Sequence, residues 1–328
     1  MTAVTADSYD VVCFGEVLVE VATTMPFGHD VPAVLGISGD TLNVAAAAAA
    51  AGARVGLAAV LTDDDLGRAI AARVAALGIG TGLLHFARGQ QGVYLVHSDP
   101  AGEREFSYAR SGSVGASLSP DHLPAAVLRT AGAVVASGIA GAISPSARDA
   151  VRHAARVAER FVYDPNYRPR LTGAADAAEL LTELAPDCWL ITPSHPGETS
   201  ALLDVDSAAA AADRLRALGT EIVAVTCGAS GVRVVDAEVS AWVPSVPAPA
   251  VVDQTGAGDA YVGTLTARLV LGDDLVPAAR VAAAASSLVV GGRGGTGLVP
   301  TLAQTRAHLA TAPESSTEEP DSREGTGA

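Results

Sequence analysis

The chain has 328 residues, 49% of them hydrophobic, and a formal net charge of −15. That describes a globular chain long enough for one large α/β core or two smaller ones, and it argues against a nucleic-acid partner, which would want a basic face. All 21 basic residues are arginine, so P-loop, protein-kinase and Schiff-base chemistries, each of which needs a lysine, are excluded. Cys13, Cys188 and Cys227 lie far apart in apolar runs and are expected to be buried reduced thiols without metal-ligand spacing. Met1 to Tyr9 is polar, and the apolar run Val44 to Ala51 is too short to span a bilayer, so a soluble cytoplasmic protein without a membrane partner is expected.

In chain order, Val11 to Phe14 reads as a buried strand. Gly15 to Val21 alternates as a half-exposed one, with Glu16 read as solvated and Glu20 kept as a hydroxyl-binding candidate. Gly36 to Ala45 carries glycines and a polar cap into an alanine-rich helix ending at Gly52. Asn43 inside that apolar first turn is either a capping side chain or an amide that reads a polyol. A strand over Val55 to Leu61 leads into a helix over Leu66 to Leu77, and Asp63 to Asp65 are read as its cap rather than as metal ligands. Residues 92–97 and 103–110 alternate with period two around a turn at 98–102, which predicts a β-hairpin. Tyr108 and Arg110 share one of its faces, so the hairpin is either a solvated ribbon or a lid that clamps a small substrate.

Strands and helices then alternate. Strands are expected at 133–137, 161–164, 189–192 and 221–226, with helices at 146–159 and 174–184 between them. Such a pattern implies a parallel sheet covered on both faces, with ligands beyond the carboxyl ends of its strands. That rule gathers Asp164, the loop Pro193 to Glu198, Thr226 to Gly228 and the loop Asp253 to Asp259 on one rim. In the last of these, Gly256-Ala257-Gly258-Asp259 opens an apolar helix. Bare first-turn amides make such a turn an anion cradle, and a carboxylate inside it is placed to accept the proton of an attacking hydroxyl. Glu314 to Ala328 holds five acids and one arginine and reads as a disordered acidic tail.

On these residues the chain resembles the ribokinase-like (PfkB-type) carbohydrate kinases from about Val11 to Leu309. Asp253 to Asp259 looks like that family's C-terminal signature, and Gly36 to Ala45 is similar to its N-terminal glycine motif, with Ser38 where the first glycine of the pair usually stands. Gly39 to Asn43, Gly102 to Arg110 and Asp164 to Leu171 look most like 2-keto-3-deoxygluconate kinases, the last segment being shared with some fructokinases. The resemblance implies a three-layer α/β/α sandwich over residues 10–311, with a small β-sheet lid from about 15–38 and 91–110 and a disordered tail over 312–328. It implies Asp259 as base and the Gly256, Ala257 and Gly258 amides as the anion hole. Thr226, Gly228 and Gly231 would join Gly256 and Gly258 in holding ATP. Gly39, Asn43, Tyr94, Tyr108, Arg110 and Arg168 would bind the sugar acid. Asp253 and Thr255 would bind a monovalent cation such as K+, and Glu198 would hold Mg2+ through water. His195, or Ser194 with a one-residue shift, stands where the family often has asparagine.

The implied activity is transfer of the ATP γ-phosphoryl group to a primary hydroxyl of a sugar acid, most simply 2-keto-3-deoxygluconate. Fructokinase and ribokinase activity on a neutral sugar are the alternatives. A nucleoside kinase is disfavoured by the 4% aromatic content, and a non-catalytic relative by the intact Gly256 to Asp259 loop. The hairpin edges offer a surface for a homodimer.

Overall fold

The computed structural model describes residues 9–98 and 104–312. The hairpin turn with Glu103 and the tail from 313 lie outside the described residues. The chain runs β1 (Val11–Phe14), β2 (Leu18–Thr23), β3 (Val34–Ser38), α1 (Asp40–Ala50), β4 (Val55–Thr62), α2 (Asp65–Ala76), β5 (Leu84–Ala87), β6 (Val93–Ser98) and β7 (Arg104–Ala109). It continues through α3 (Ala125–Thr130), β8 (Ala133–Ser137), α4 (Gly138–Ile143), α5 (Pro145–Val157), β9 (Phe161–Asp164), α6 (Ala174–Leu184), β10 (Cys188–Ile191), α7 (Gly197–Leu203) and α8 (Ala208–Ala217). β11 (Ile222–Thr226), β12 (Gly231–Val235), β13 (Ser240–Pro244), α9 (Ala257–Val270), α10 (Leu275–Val289) and α11 (Leu302–Thr311) complete it.

Among the described residues these strands form a nine-stranded sheet, ordered β13-β12-β11-β10-β9-β8-β1-β4-β5, and a four-stranded sheet, ordered β3-β2-β6-β7. β1 explains the layering: all four residues are buried, Val11 and Cys13 in one core and Val12 and Phe14 in the other. A strand with no polar side fits only between two helical layers. α1, α2, α9 and α10 cover one face, and α4 to α8 cover the other. This is the ribokinase-like α/β fold. The all-parallel expectation needs a correction at one edge, where β11–β12 and β12–β13 pair antiparallel. Only a short connection separates β12 from β13, and a parallel pair would have needed a crossover.

Local chemistry sets the helix starts. Asp64 caps α2 by accepting the Gly67 N–H at 2.9 Å, which absorbs the acidic run as a cap. Ser137, Ser144 and Ser207 cap α4, α5 and α8 in the same way.

In the small sheet, Gly36, Glu20, Tyr94 and Tyr108 lie opposite one another across all four strands. One row therefore carries the acid and both tyrosines. The loop Gly291 to Gly297 ties this sheet to α2: Thr296 donates to the Ile37 carbonyl at 2.8 Å and its own carbonyl accepts from Arg73 at 2.8 Å. The reading of Glu16 as solvated is overturned. It is buried, because Ser113 and Arg110, both distant in sequence, close over it.

Candidate active site

The site lies at the carboxyl ends of the large sheet, where α9 begins. Gly256 is left-handed (φ 82°) and caps that helix. Its Cα side faces Gly295 so closely that a Cβ would sit 3.1 Å from that backbone, so only glycine fits the turn without strain. The Ala257 N–H turns back to the Gln254 carbonyl at 3.3 Å. This amide, expected in the anion hole, is thus already engaged. The helix start leaves the Gly258 and Asp259 N–H groups facing outward without intrahelical acceptors, as the first turn of any helix does.

Asp259 is half-buried in that first turn, and Asn43 donates to its Oδ2 at 2.7 Å. The Asn43 Oδ1 in turn faces the Ser38 hydroxyl at 3.4 Å, which fixes the amide with its NH2 on the carboxylate. Burial pushes the Asp259 carboxyl up to about 7, and the charge of Asp40 adds to that. The Asn43 hydrogen bond and the charge of Arg168 pull the other way. A carboxylate near neutrality is suited to general-base work, because it is both available and basic enough.

Asp40 was absent from the sequence-based candidates. It opens α1 and accepts a hydrogen bond from Ser137 at the end of β8. Asp164 was placed on the rim but given no role. It is buried at the end of β9, and its carboxyl lies well above the ordinary range, first through burial and then through the charges of Glu198 and Asp259. Glu198 is buried too, and accepts the N–H groups of Tyr167 (2.6 Å) and Ser194 (2.7 Å). A buried carboxyl whose proton affinity is raised by a neighbouring buried carboxylate is an arrangement a divalent cation would relieve. Among the described residues no three His, Cys, Asp or Glu side chains form a direct metal cage. Asp164 and Glu198 are the buried carboxyl groups that would hold Mg2+ through water beside the nucleotide phosphates. His195 serves the loop instead, with its Nδ1 2.7 Å from the Thr199 hydroxyl.

Thr226 closes β11 and is joined to the Glu198 loop by two bonds, Thr226 N–H to the Pro193 carbonyl at 2.9 Å and His195 N–H to the Thr226 carbonyl at 2.7 Å. Gly228 is exposed and left-handed (φ 56°), with open space on its Cβ side. Gly231 is a glycine for packing, since a Cβ would sit 2.5 Å from the Val243 carbonyl and 2.9 Å from the Trp242 ring. Asp253 binds the Thr255 and Gly294 N–H groups, each at 2.9 Å, and so pins the turn before α9 to the loop Gly291 to Gly297.

The lid residues are partnered in ways the spacing did not reveal. The Tyr94 hydroxyl donates to Glu20, which keeps Glu20 near the site as an anchor for that tyrosine. Burial raises the Glu20 carboxyl, against the pull of the Tyr94 bond. Tyr108 is 41% exposed, and the Arg110 guanidinium lies 6.0 Å from its ring centre. Arg110 itself is ion-paired with Glu16. Gly39 begins α1, where a Cβ would sit 2.7 Å from the Glu16 carbonyl. Arg168 is exposed, and its charge reaches both Asp164 and Asp259.

The pfkB family of carbohydrate kinases matches residues 9–302. A 2-dehydro-3-deoxygluconokinase of Thermoproteus tenax is 33% identical over 268 residues, covering 80% of this chain and 82% of that one. Fructokinase-1 of Zea mays is 30% identical over 269 residues, covering 79% and 83%. An E. coli protein assigned as a ribokinase II, in complex with ATP and Mg2+, superposes with a TM-score of 0.83 at 23% identity, covering 92% of this chain and 99% of that one.

Proposed function

The chain belongs to the pfkB family of carbohydrate kinases, and from that premise we propose that it phosphorylates a primary hydroxyl of a small sugar acid of the 2-keto-3-deoxygluconate type. It is an ATP-dependent sugar kinase. The observation that carries the reading of its site is Asp259, a carboxylate near neutral pKa in the first turn of α9, held by Asn43 beside outward-facing amides. Asp259 takes the proton of the sugar hydroxyl as that oxygen attacks the γ-phosphorus of ATP, and ADP leaves. The Gly258 amide and the α9 dipole meet the charge that develops on the transferring group. Mg2+, when bound, neutralises the phosphates, and Glu198 and Asp164 would orient its waters. Thr226, Gly228 and Gly231 are assigned to the nucleotide, Asp253 and Thr255 to K+.

The four-stranded sheet is read as a lid over the sugar, with Gly39, Asn43, Tyr94, Tyr108, Arg110 and Arg168 around it. Arg168 suits a carboxylate because its fork is exposed and bidentate. The edge strand β3 exposes Val34 (69%) and Leu35 (67%), and a lid-to-lid homodimer is assigned there; a monomeric mass by light scattering would remove it. The cytoplasm, which supplies ATP, is the assigned location.

A neutral-sugar reading, fructokinase or ribokinase, is favoured by one observation. Arg110 already has a carboxylate partner in Glu16, so it adds little net charge to attract an acid. The two readings separate in a coupled assay of ATP consumption with 2-keto-3-deoxygluconate, its galactonate epimer, fructose and ribose, with and without K+. Turnover confined to the keto-deoxy acids supports the first reading. Turnover confined to fructose or ribose replaces it with the second.

A further inference from the structure

Glu16 follows β1 and sits beneath the small sheet with almost no solvent exposure: its side chain is 1% exposed and that of its partner Arg110 is 10%. The Ser113 hydroxyl donates to its Oε1, and the Arg110 guanidinium pairs with its Oε2. Two glycines from separate segments press against it. A Cβ on Gly92 would lie 2.6 Å from Oε1, and one on Gly115 would lie 2.5 Å from Cγ. The pocket is therefore shaped around this carboxylate, with no room for it to swing away. Arg110 follows directly from β7, two residues beyond Tyr108, on the strand that edges the lid. Its buried Nε has no hydrogen-bond acceptor, so the pair leaves one donor open.

We infer that Glu16 sets the charge selectivity of the sugar site: it holds Arg110 in a caged ion pair, and a carboxylated ligand takes over Arg110 only as Glu16 takes up a proton. This rests on the reading that the sugar binds against the lid. A second carboxylate brought to the open Nε of this buried guanidinium would face Glu16 across one positive charge, and a caged carboxylate that must share its cation has no route to water. Protonation of Glu16 is the response that relieves the repulsion without moving the cage. The charged groups facing Glu16 are Arg110 beyond β7 and Asp40 on α1, and Ser113 adds only a hydroxyl. Asp40 disfavours the charged form, and burial already outweighs the pull of Arg110, so the Glu16 carboxyl lies above its ordinary value. A neutral sugar leaves the pair intact and moves no proton at Glu16.

The test is calorimetric titration of the whole chain with 2-keto-3-deoxygluconate and with fructose, in two buffers of different ionisation heat. Where fructose binds, it subtracts any proton moved by Asp259 or Asp164; where it does not, the excess is the difference in uptake between the natural chain and Glu16→Gln with the acid. The expected result is an excess uptake approaching one proton with the acid, together with acid affinity that weakens as pH rises while fructose affinity does not. Glu16→Gln, which keeps the shape and the Ser113 contact, should abolish the excess and raise the acid-over-fructose preference at least tenfold. Acid binding by the natural chain with no excess uptake overturns the inference, whether or not the variant folds. So does a Glu16→Gln chain that weakens both ligands equally, which is the signature of a purely structural role. A natural chain that binds fructose alone, with acid binding gained in Glu16→Gln, would remove the sugar-acid reading and keep this one. If neither chain binds the acid, both are gone.

Discussion

Asn43 donates a 2.7 Å hydrogen bond to Asp259 across 216 positions of sequence. The bond joins the start of α1 to the start of α9. It holds the carboxylate in one orientation and offsets part of the burial that raises its proton affinity. Asp259→Asn removes the base while keeping the shape of the turn. Turnover should fall about 10^2- to 10^4-fold, the usual worth of a general base, while ATP binding measured by calorimetry changes little. Near-normal turnover would dismiss Asp259 as the base.

The same bond sets a pH dependence. The rate needs Asp259 deprotonated, so it should fall as pH drops through its value of about 7. Asn43 lowers that value, so Asn43→Ala should move the acid limb of the kcat profile to higher pH. Asp40 raises it, so Asp40→Asn should move the limb to lower pH. Opposite shifts in the two variants are the expected result; shifts of the same sign would discard this electrostatic account.

How much of this was legible in the sequence follows from where partners lie. The Gly256 to Asp259 turn is local, and residue types alone place a carboxylate at a helix start. Strand and helix alternation is local too, and it located most of the core elements. Glu16 and Arg110 are a different matter. Each is a charged residue in an alternating segment, and such segments ordinarily face water. Only the fold brings Arg110 and Ser113 over Glu16 and turns a solvated reading into a buried pair. Asp164 was placed on the rim without a role, and Asp40 lay inside the segment Gly39 to Asn43 without being singled out, for a related reason. The effect of Asp40 on Asp259, and of Asp259 on Asp164, is a matter of position across the sheet. The antiparallel β12 and β13 were missed because a short return at a sheet edge leaves no helix in the pattern.

Gly295 gives a test of the Asn43 bond that touches neither partner. A Cβ at this position would run into the Asn43 carboxamide. Gly295→Ala should therefore push Asn43 off Asp259 and reproduce the Asn43→Ala profile, with turnover down about tenfold or more for a misplaced group near the chemistry. A Gly295→Ala chain with the natural pH profile would mean that the bond does not govern the base.

Arg168 is the exposed cation whose charge reaches Asp259. Arg168→Ala should raise the proton affinity of Asp259, shifting the acid limb upward with every sugar. It should also raise KM for an acid sugar about 10- to 100-fold, the loss of one charge-assisted bidentate contact at about 1.5–3 kcal/mol. With fructose the pH shift should remain and KM should move little. The two readouts separate a carboxylate contact from a general electrostatic role.

Glu198 is the residue on which the Mg2+ reading depends. Its two oxygens fix the Tyr167 and Ser194 amides, so it shapes the rim as well as charging it. Glu198→Gln keeps one acceptor and turns an NH2 toward the other amide. The half-saturating Mg2+ concentration should rise about 10- to 100-fold, as expected for a group that acts on a metal through its waters. Titrating Mg2+ at saturating ATP distinguishes the two contributions. Recovery of most turnover at high Mg2+ assigns Glu198 to the cation. Turnover that stays low, with unchanged Mg2+ dependence, assigns it to the loop, and the neighbouring Asp164 carboxylate would then be the group to substitute for a metal role.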